Sequence, residues 1–151
     1  MREIISVYSS KENQKSIMIV KNDMEKNKTL VIGASLKPER YSNKAVKMLT
    51  KFGHDVVAFG RRTGDIPPWT IVTEFPERDD IQTVTLYLNP NNQLPYYEAI
   101  LALKPVRIIF NPGTENPELQ SLANEAKIET VEACTLVMLS TDQYDLELIS
   151  D

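Results

Sequence analysis

The chain is poor in the residues that most often bind metals or act as nucleophiles: it has one cysteine, Cys134, and one histidine, His54. A single cysteine cannot form an internal disulfide, and these two residues alone cannot complete a Cys/His zinc site. A carboxylate-based metal site is left, but no carboxylate spacing points to one. Long apolar runs are missing too, and none approaches the roughly 20 residues that a bilayer-spanning helix needs. Near the N-terminus the Ile4-Ile5 pair is too short for the apolar core of a secretory signal. The expected location is therefore the reducing cytoplasm. Positive charge is in deficit: 17 Lys+Arg stand against 21 Asp+Glu, a formal net charge of −4. That speaks against a general nucleic-acid binder and leaves room for a local basic pocket. The familiar catalytic motifs are lacking as well, with no G-x-S-x-G elbow, no P-loop and no Cys–His pair of workable geometry.

What is present is an ordinary globular composition. The 151 residues are 42% hydrophobic and 25% charged, enough for one domain with a buried core. Residues 1–28 form an N-terminal extension. Two β-prone runs, Glu3 to Tyr8 and Ser16 to Lys21, read either as a hairpin appended to the core or as a loosely held leader, and Met24 is a second candidate start. Residues 29–140 are regular. Short apolar strands are expected at 29–33, 55–59, 83–88, 106–110 and 128–132, with a weak strand at 71–73. Helices are expected at 42–52, where Ala45, Val46, Leu49 and Phe52 share a face and Gly53 ends the run, at 95–103, and from Asn116-Pro117 to about Ala126. Residues 135–139 make a short terminal turn or helix, and 141–151 form an acidic C-terminal tail. Strands alternating with helices predict an α/β fold: a Rossmann-like, doubly wound parallel sheet in three layers, as a single domain, with strand order 3-2-1-4-5-6.

In such a sheet, ligands bind beyond the carboxyl ends of the strands where the strand order reverses. The loop after the first core strand, Gly33-Ala34-Ser35, lies there. A glycine permits a tight turn and close approach of a ligand, and the following helix offers free N–H groups and its positive end to an anion. Ser35 and Ser42 add hydroxyls, and Lys37 and Arg40 add charge. The second and third glycines of G-x-G-x-x-G are absent, so the loop by itself also reads as a simple strand end. The second strand ends in Gly60-Arg61-Arg62, with no acid to hold a ribose diol as NAD-preferring domains usually have. Two arginines there favour a phosphorylated ribose, because guanidinium pairs with phosphate through a bidentate fork. Both NADP and coenzyme A fit, and the pair also reads as solvated loop charge.

Gly33-Ala34-Ser35, Pro38-Glu39-Arg40-Tyr41-Ser42, Gly53-His54-Asp55-Val56-Val57, Asn111-Pro112-Gly113-Thr114-Glu115 and Cys134, in this order and spacing, resemble the small coenzyme A-binding domain family. That family is similar to the N-terminal domain of the succinyl-CoA synthetase α subunit. The resemblance covers about residues 29–140. It implies that Gly33, Ala34 and Ser35 line the pyrophosphate, with Arg40 and Ser42 nearby, and that Arg61 matches a basic residue for the ribose phosphate. It places Leu88, Asn89 and Pro90 beside the adenine and Asn111, Pro112 and Gly113 along the pantetheine arm. Cys134 matches a family cysteine near the end of the last strand. The synthetase's phosphohistidine lies in a second domain outside the resemblance, and His54, at the edge opposite the ligand end, cannot replace it. Tyr41 stands where the family usually has proline.

The expectation is thus non-catalytic binding of coenzyme A or an acyl-CoA. An NADP-dependent reductase and a regulatory scaffold with a vestigial pocket are the alternatives. A reductase would need a proton donor and a nicotinamide pocket, and no residue presents itself for either. Cys134 reads as a small buried filler or as a thiol able to meet the pantetheine thiol. The expected partner is a small-molecule nucleotide, with no nucleic acid and no membrane, and the chain is compatible with a homodimer.

Overall fold

A computed structural model of the chain describes the backbone of residues 4–9, 16–20 and 25–149. The outer parts of the N-terminal extension (residues 1–3, 10–15 and 21–24) and the last two residues of the acidic tail lie outside the described residues.

Five parallel strands form the central sheet: β3 (Lys28–Ile32), β4 (Asp55–Phe59), β7 (Ile81–Leu86), β8 (Arg107–Phe110) and β9 (Glu129–Glu132), in the order β4-β3-β7-β8-β9. Successive side chains of a strand point to opposite faces, and both faces here are covered. Leu30, Ile32, Val84, Leu86, Ile108 and Phe110 pack on one side with Ile100 and Leu119, which belong to helices α3 (Tyr97–Ala102) and α4 (Pro117–Glu125). Val31, Val56, Ala58 and Ile109 pack on the other with Val46, Leu49, Met138 and Leu139, from α1 (Tyr41–Lys51) and α5 (Thr135–Ser140). This is the expected three-layer, doubly wound α/β sheet. The chain leaves β3 to one side for β4 and returns on its other side for β7, so the strand order reverses between the carboxyl ends of β3 and β7.

Helix α1 ends as its sequence implies. Gly53 takes φ +86°, its N–H bonds the Thr50 carbonyl at 3.0 Å, and His54 N–H bonds the Leu49 carbonyl at 2.9 Å, the paired closure that a left-handed residue after a helix permits. Phe52, expected on the buried face, sits at this cap and is half exposed.

Two expected elements differ. The weak edge strand at 71–73 is not a full member of the sheet. Strand β6 (Trp69–Ile71) instead pairs antiparallel with β5 (Gly64–Ile66). Only Val72 reaches the sheet, through one parallel bridge to Phe59. Pro67-Pro68, lacking N–H groups, form the turn that folds this segment back, and the hairpin then uses the backbone groups a sheet strand would need. The expected helix at 95–103 is reduced to α3, with a 3-10 turn (Leu94–Tyr96) in place of its start and a separate short helix, α2 (Pro90–Gln93), before it. Asn89 starts α2 by accepting from Asn92 N–H at 3.0 Å, and Pro95 cannot continue its hydrogen-bond ladder.

The two ends of the chain meet. β1 (Ile4–Ser9) pairs antiparallel with β2 (Ser16–Val20) and with β10 (Leu146–Ile149), giving a three-stranded sheet. The extension thus contains a hairpin, and the tail contributes a strand to it. Just before β10, Tyr144 is buried at the amino ends of the parallel strands. Its hydroxyl meets Thr29 Oγ1 at 2.5 Å, its carbonyl accepts from Arg107 Nη2 at 2.5 Å, and its ring lies 4.4 Å from the Arg107 guanidinium. Among the described residues, no helix is long and apolar enough to cross a membrane.

Candidate nucleotide-binding site

Beyond β3 the chain must turn between the ends of two neighbouring strands. Gly33 does so at φ +95°, and the N–H groups of Gly33 and Ala34 both bond the Phe59 carbonyl at 2.9 Å. A Cβ at position 33 would stand 3.1 Å from the Tyr87 carbonyl group, so both conformation and space call for glycine. Gly60 has a related duty. A Cβ there would lie 2.3 Å from the Ala34 carbonyl oxygen; its absence lets the loop settle onto the end of β4. Farther along, Ser35 O accepts from the buried Asn43 side chain at 2.9 Å, and Ser35 Oγ accepts from Lys37 N–H at 3.1 Å. The loop is therefore held by α1, the helix it precedes. Arg40 occupies the N-cap position of α1, no side chain caps the helix, and its first turn holds no acid. That end of α1 keeps its partial positive charge and unsatisfied N–H groups.

A cavity of about 640 Å³ opens at this point, between the carboxyl ends of β3, β4, β7 and β8. Gly33, Ala34, Ser35, Arg40 and Ser42 line one wall, and Arg61 and Arg62 another. Leu88 and Asn89, after β7, face Pro112 and Gly113, after β8. The charged residues of the lining are Lys37, Arg40, Arg61 and Arg62, with no carboxylate among them, in a chain whose formal net charge is −4.

A family model described as CoA binding domain matches residues 27–140. The chain belongs to the CoA binding domain family. Its cavity lies wholly within the matched region. An uncharacterized protein of known crystal structure is 49% identical, with TM-score 0.74 over 76% of this chain and 95% of that one. A hypothetical protein from Pyrococcus horikoshii OT3 has the same fold at 24% identity and TM-score 0.70, over 80% of this chain and 86% of that one. A Thermus thermophilus protein does so at 21% identity and TM-score 0.66, over 80% and 93%. No curated protein matches the chain.

Within this CoA binding domain, four residues singled out from the sequence stand apart from the cavity lining. Gly60 acts beneath the loop, as described. Pro90 is the first residue of α2, behind Asn89. Asn111 is buried and fully used as a pin: Nδ2 donates to Thr85 Oγ1 at 2.7 Å and to Leu86 O at 2.8 Å, and Oδ1 accepts from Thr135 N–H at 2.8 Å. Cys134 is half-buried at the N-cap of α5 and does not line the cavity.

Lys37, expected from the sequence to add charge beside the loop, does line the cavity, and Tyr41 borders the loop with it. Leu36, Tyr87 and Thr114, to which the sequence reading gives no site role, complete the walls. The apolar alternation of Val84, Leu86 and Leu88 predicts a strand through Leu88 and so hides Tyr87 inside it, whereas β7 ends at Leu86 and Tyr87 opens the loop beside the cavity. The Tyr87 hydroxyl is buried beside the Thr85 and Thr135 hydroxyls, whose mutual contact at 2.8 Å leaves it without a well-formed hydrogen bond. Burial pushes its pKa up to about 12, so at neutral pH it is a neutral phenol. Thr114 is the fourth residue of the Asn111-Pro112-Gly113-Thr114-Glu115 motif, and that membership is the signal for it.

Proposed function

We propose that this chain holds coenzyme A or an acyl-CoA in the 640 Å³ cavity without transforming it. The observation that carries the reading is electrostatic. Four cationic side chains and the uncapped end of α1 converge on one cavity, with no carboxylate in its lining, in a chain that is acidic overall. In this reading the α1 terminus takes the pyrophosphate through its free backbone N–H groups, and the loop 33–35, whose Gly33 and Ala34 N–H groups are spent on Phe59 O, lets the ligand come close. Arg61 and Arg62 take the 3′-phosphate by paired hydrogen bonds. The adenine and the pantetheine arm lie along the walls made by Leu88 and Asn89 and by Pro112, Gly113 and Thr114. In this reading the ligand is held and released unchanged.

Calorimetry with coenzyme A, 3′-dephospho-coenzyme A and NADPH tests this. Coenzyme A is expected to bind at least about tenfold more tightly than the dephospho form, the size of a charge-assisted hydrogen bond. Absence of heat with both coenzyme A forms, or a clear preference for NADPH, would overturn the reading.

A further inference from the structure

The arginine pair sits in a segment that is closed at its base. Gly60 N–H bonds Val72 O at 3.0 Å, and Val72 N–H bonds Ala58 O at 2.9 Å. Residues 60–72 therefore leave the end of β4 and return to it, with Arg61 and Arg62 at the start and the β5–β6 hairpin as the remainder. Inside the segment, Thr63 Oγ1 donates to Ile71 O at 2.9 Å, and Ile66 and Ile71 are buried in the core. Two outside contacts then locate the hairpin. Leu36 of the phosphate loop packs against Gly64, where a Cβ would come within 2.3 Å of it. Trp69 Nε1 donates to Thr50 Oγ1 of α1 at 2.7 Å, while Thr50 Oγ1 itself donates to Val46 O at 2.7 Å.

Helix α1 thus has two duties at its two ends. Its first turn faces the cavity, and its last turn, through Thr50, holds the hairpin that follows the arginines in the closed segment 60–72. A helix is a stiff rod, so this contact sets the spacing between the α1 terminus and the arginine pair. We propose that Trp69 is a positioning residue for the ribose-phosphate end of the ligand, acting through Thr50 and the β5–β6 hairpin. It makes the site selective for nucleotides that carry a pyrophosphate and a further phosphate on the ribose. The inference rests on the coenzyme A reading and adds to it which residues outside the cavity determine the selectivity. Trp69 does not line the cavity, so its effect on the ligand is indirect, and its route through the arginines is what the comparison of the two ligands reads.

Calorimetry on the intact protein and on Trp69→Phe and Thr50→Val, each with coenzyme A and 3′-dephospho-coenzyme A, tests the proposal. In both variants the preference for the 3′-phosphorylated ligand is expected to fall about fivefold, the weight of one neutral hydrogen bond. The loss should appear in coenzyme A affinity, with the dephospho form bound as in the unmodified chain. A merely structural role would weaken both ligands in proportion, and that result, or an unchanged preference, would overturn the proposal. Thr50→Val keeps the indole packed and decides the matter if Trp69→Phe does not fold. If the unmodified chain binds neither ligand, or binds both equally, the coenzyme A reading fails and this inference with it.

Discussion

Gln93 ties the Thr114 loop to the neighbouring wall of the cavity: its Nε2 donates to Thr114 O at 2.8 Å and also to Leu88 O at 2.8 Å. One amide group thus bridges the loops that follow β7 and β8. Its oxygen is used as well, accepting from Asn116 Nδ2 at 2.9 Å, and Asn116 in turn starts α4 by accepting from Leu119 N–H at 3.2 Å. The cavity wall and the start of a helix are one hydrogen-bonded unit.

Gln93→Ala should therefore act on both stability and binding. It leaves the Asn116 amide and two carbonyls short of a partner in a buried place, a loss of about 1–3 kcal/mol. Urea unfolding would show this as a lower midpoint with the slope unchanged. Coenzyme A affinity should fall as the two loops drift apart, measured by calorimetry.

Gly60→Ala should be more damaging to binding than Gly113→Ala. A methyl at 60 meets the Ala34 carbonyl oxygen at 2.3 Å, whereas a methyl at 113 meets nothing within 4 Å. The first displaces the loop at Gly33–Ser35, with an overpacking cost of about 1–3 kcal/mol. The second bears only the left-handed backbone at φ +91°, worth about 1–2 kcal/mol. Equal loss of affinity in the two variants would refute the role given to Gly60.

Acid should destabilise the protein through His54. Burial lowers its pKa, against the opposing pull of Asp145 at 3.3 Å. Well above the ordinary value of 6.5, folded and unfolded chains are both neutral at this residue. As the pH falls through 6.5, the unfolded chain takes up a proton that the folded chain resists, so stability falls. Melting temperature measured from pH 8 to about pH 5 should decline, and His54→Gln should flatten that decline.

Tyr144→Phe should lower stability by about 1 kcal/mol, the usual weight of one hydrogen bond, here that to Thr29. The ring contact with Arg107 remains in this variant. Tyr144→Ala should cost about 3–5 kcal/mol, as for other large buried rings. It should also loosen β1 and β10, visible as faster amide exchange in residues 4–9.

The parallel sheet, its two covered faces and the loop at Gly33 were legible in the sequence because they rest on local rules. Apolar runs of about five residues mark strands buried on both faces, and a glycine ending the first of them marks the turn. The arginine corner was legible by what it lacked, an acid after β4. Other features depended on contacts between residues far apart in the chain. The edge strand was misjudged because the Pro67-Pro68 turn gave residues 69–71 an antiparallel partner, which composition does not reveal. Asn111 lies beside cavity residues in sequence, yet its side chain is consumed by Thr85, Leu86 and Thr135.

By itself, then, the sequence determined the α/β class, the place of the glycine turn after β3 and the basic corner opposite it, because hydrophobic period, glycine and charge act over a few residues. Only the tertiary structure decided that Gln93 joins two loops, that Gly60 serves Ala34, that Trp69 reaches Thr50 and that the acidic tail closes on Arg107 through Tyr144. Each of these is a contact whose partners are brought together by packing, and no local pattern encodes the meeting of two side chains distant along the chain.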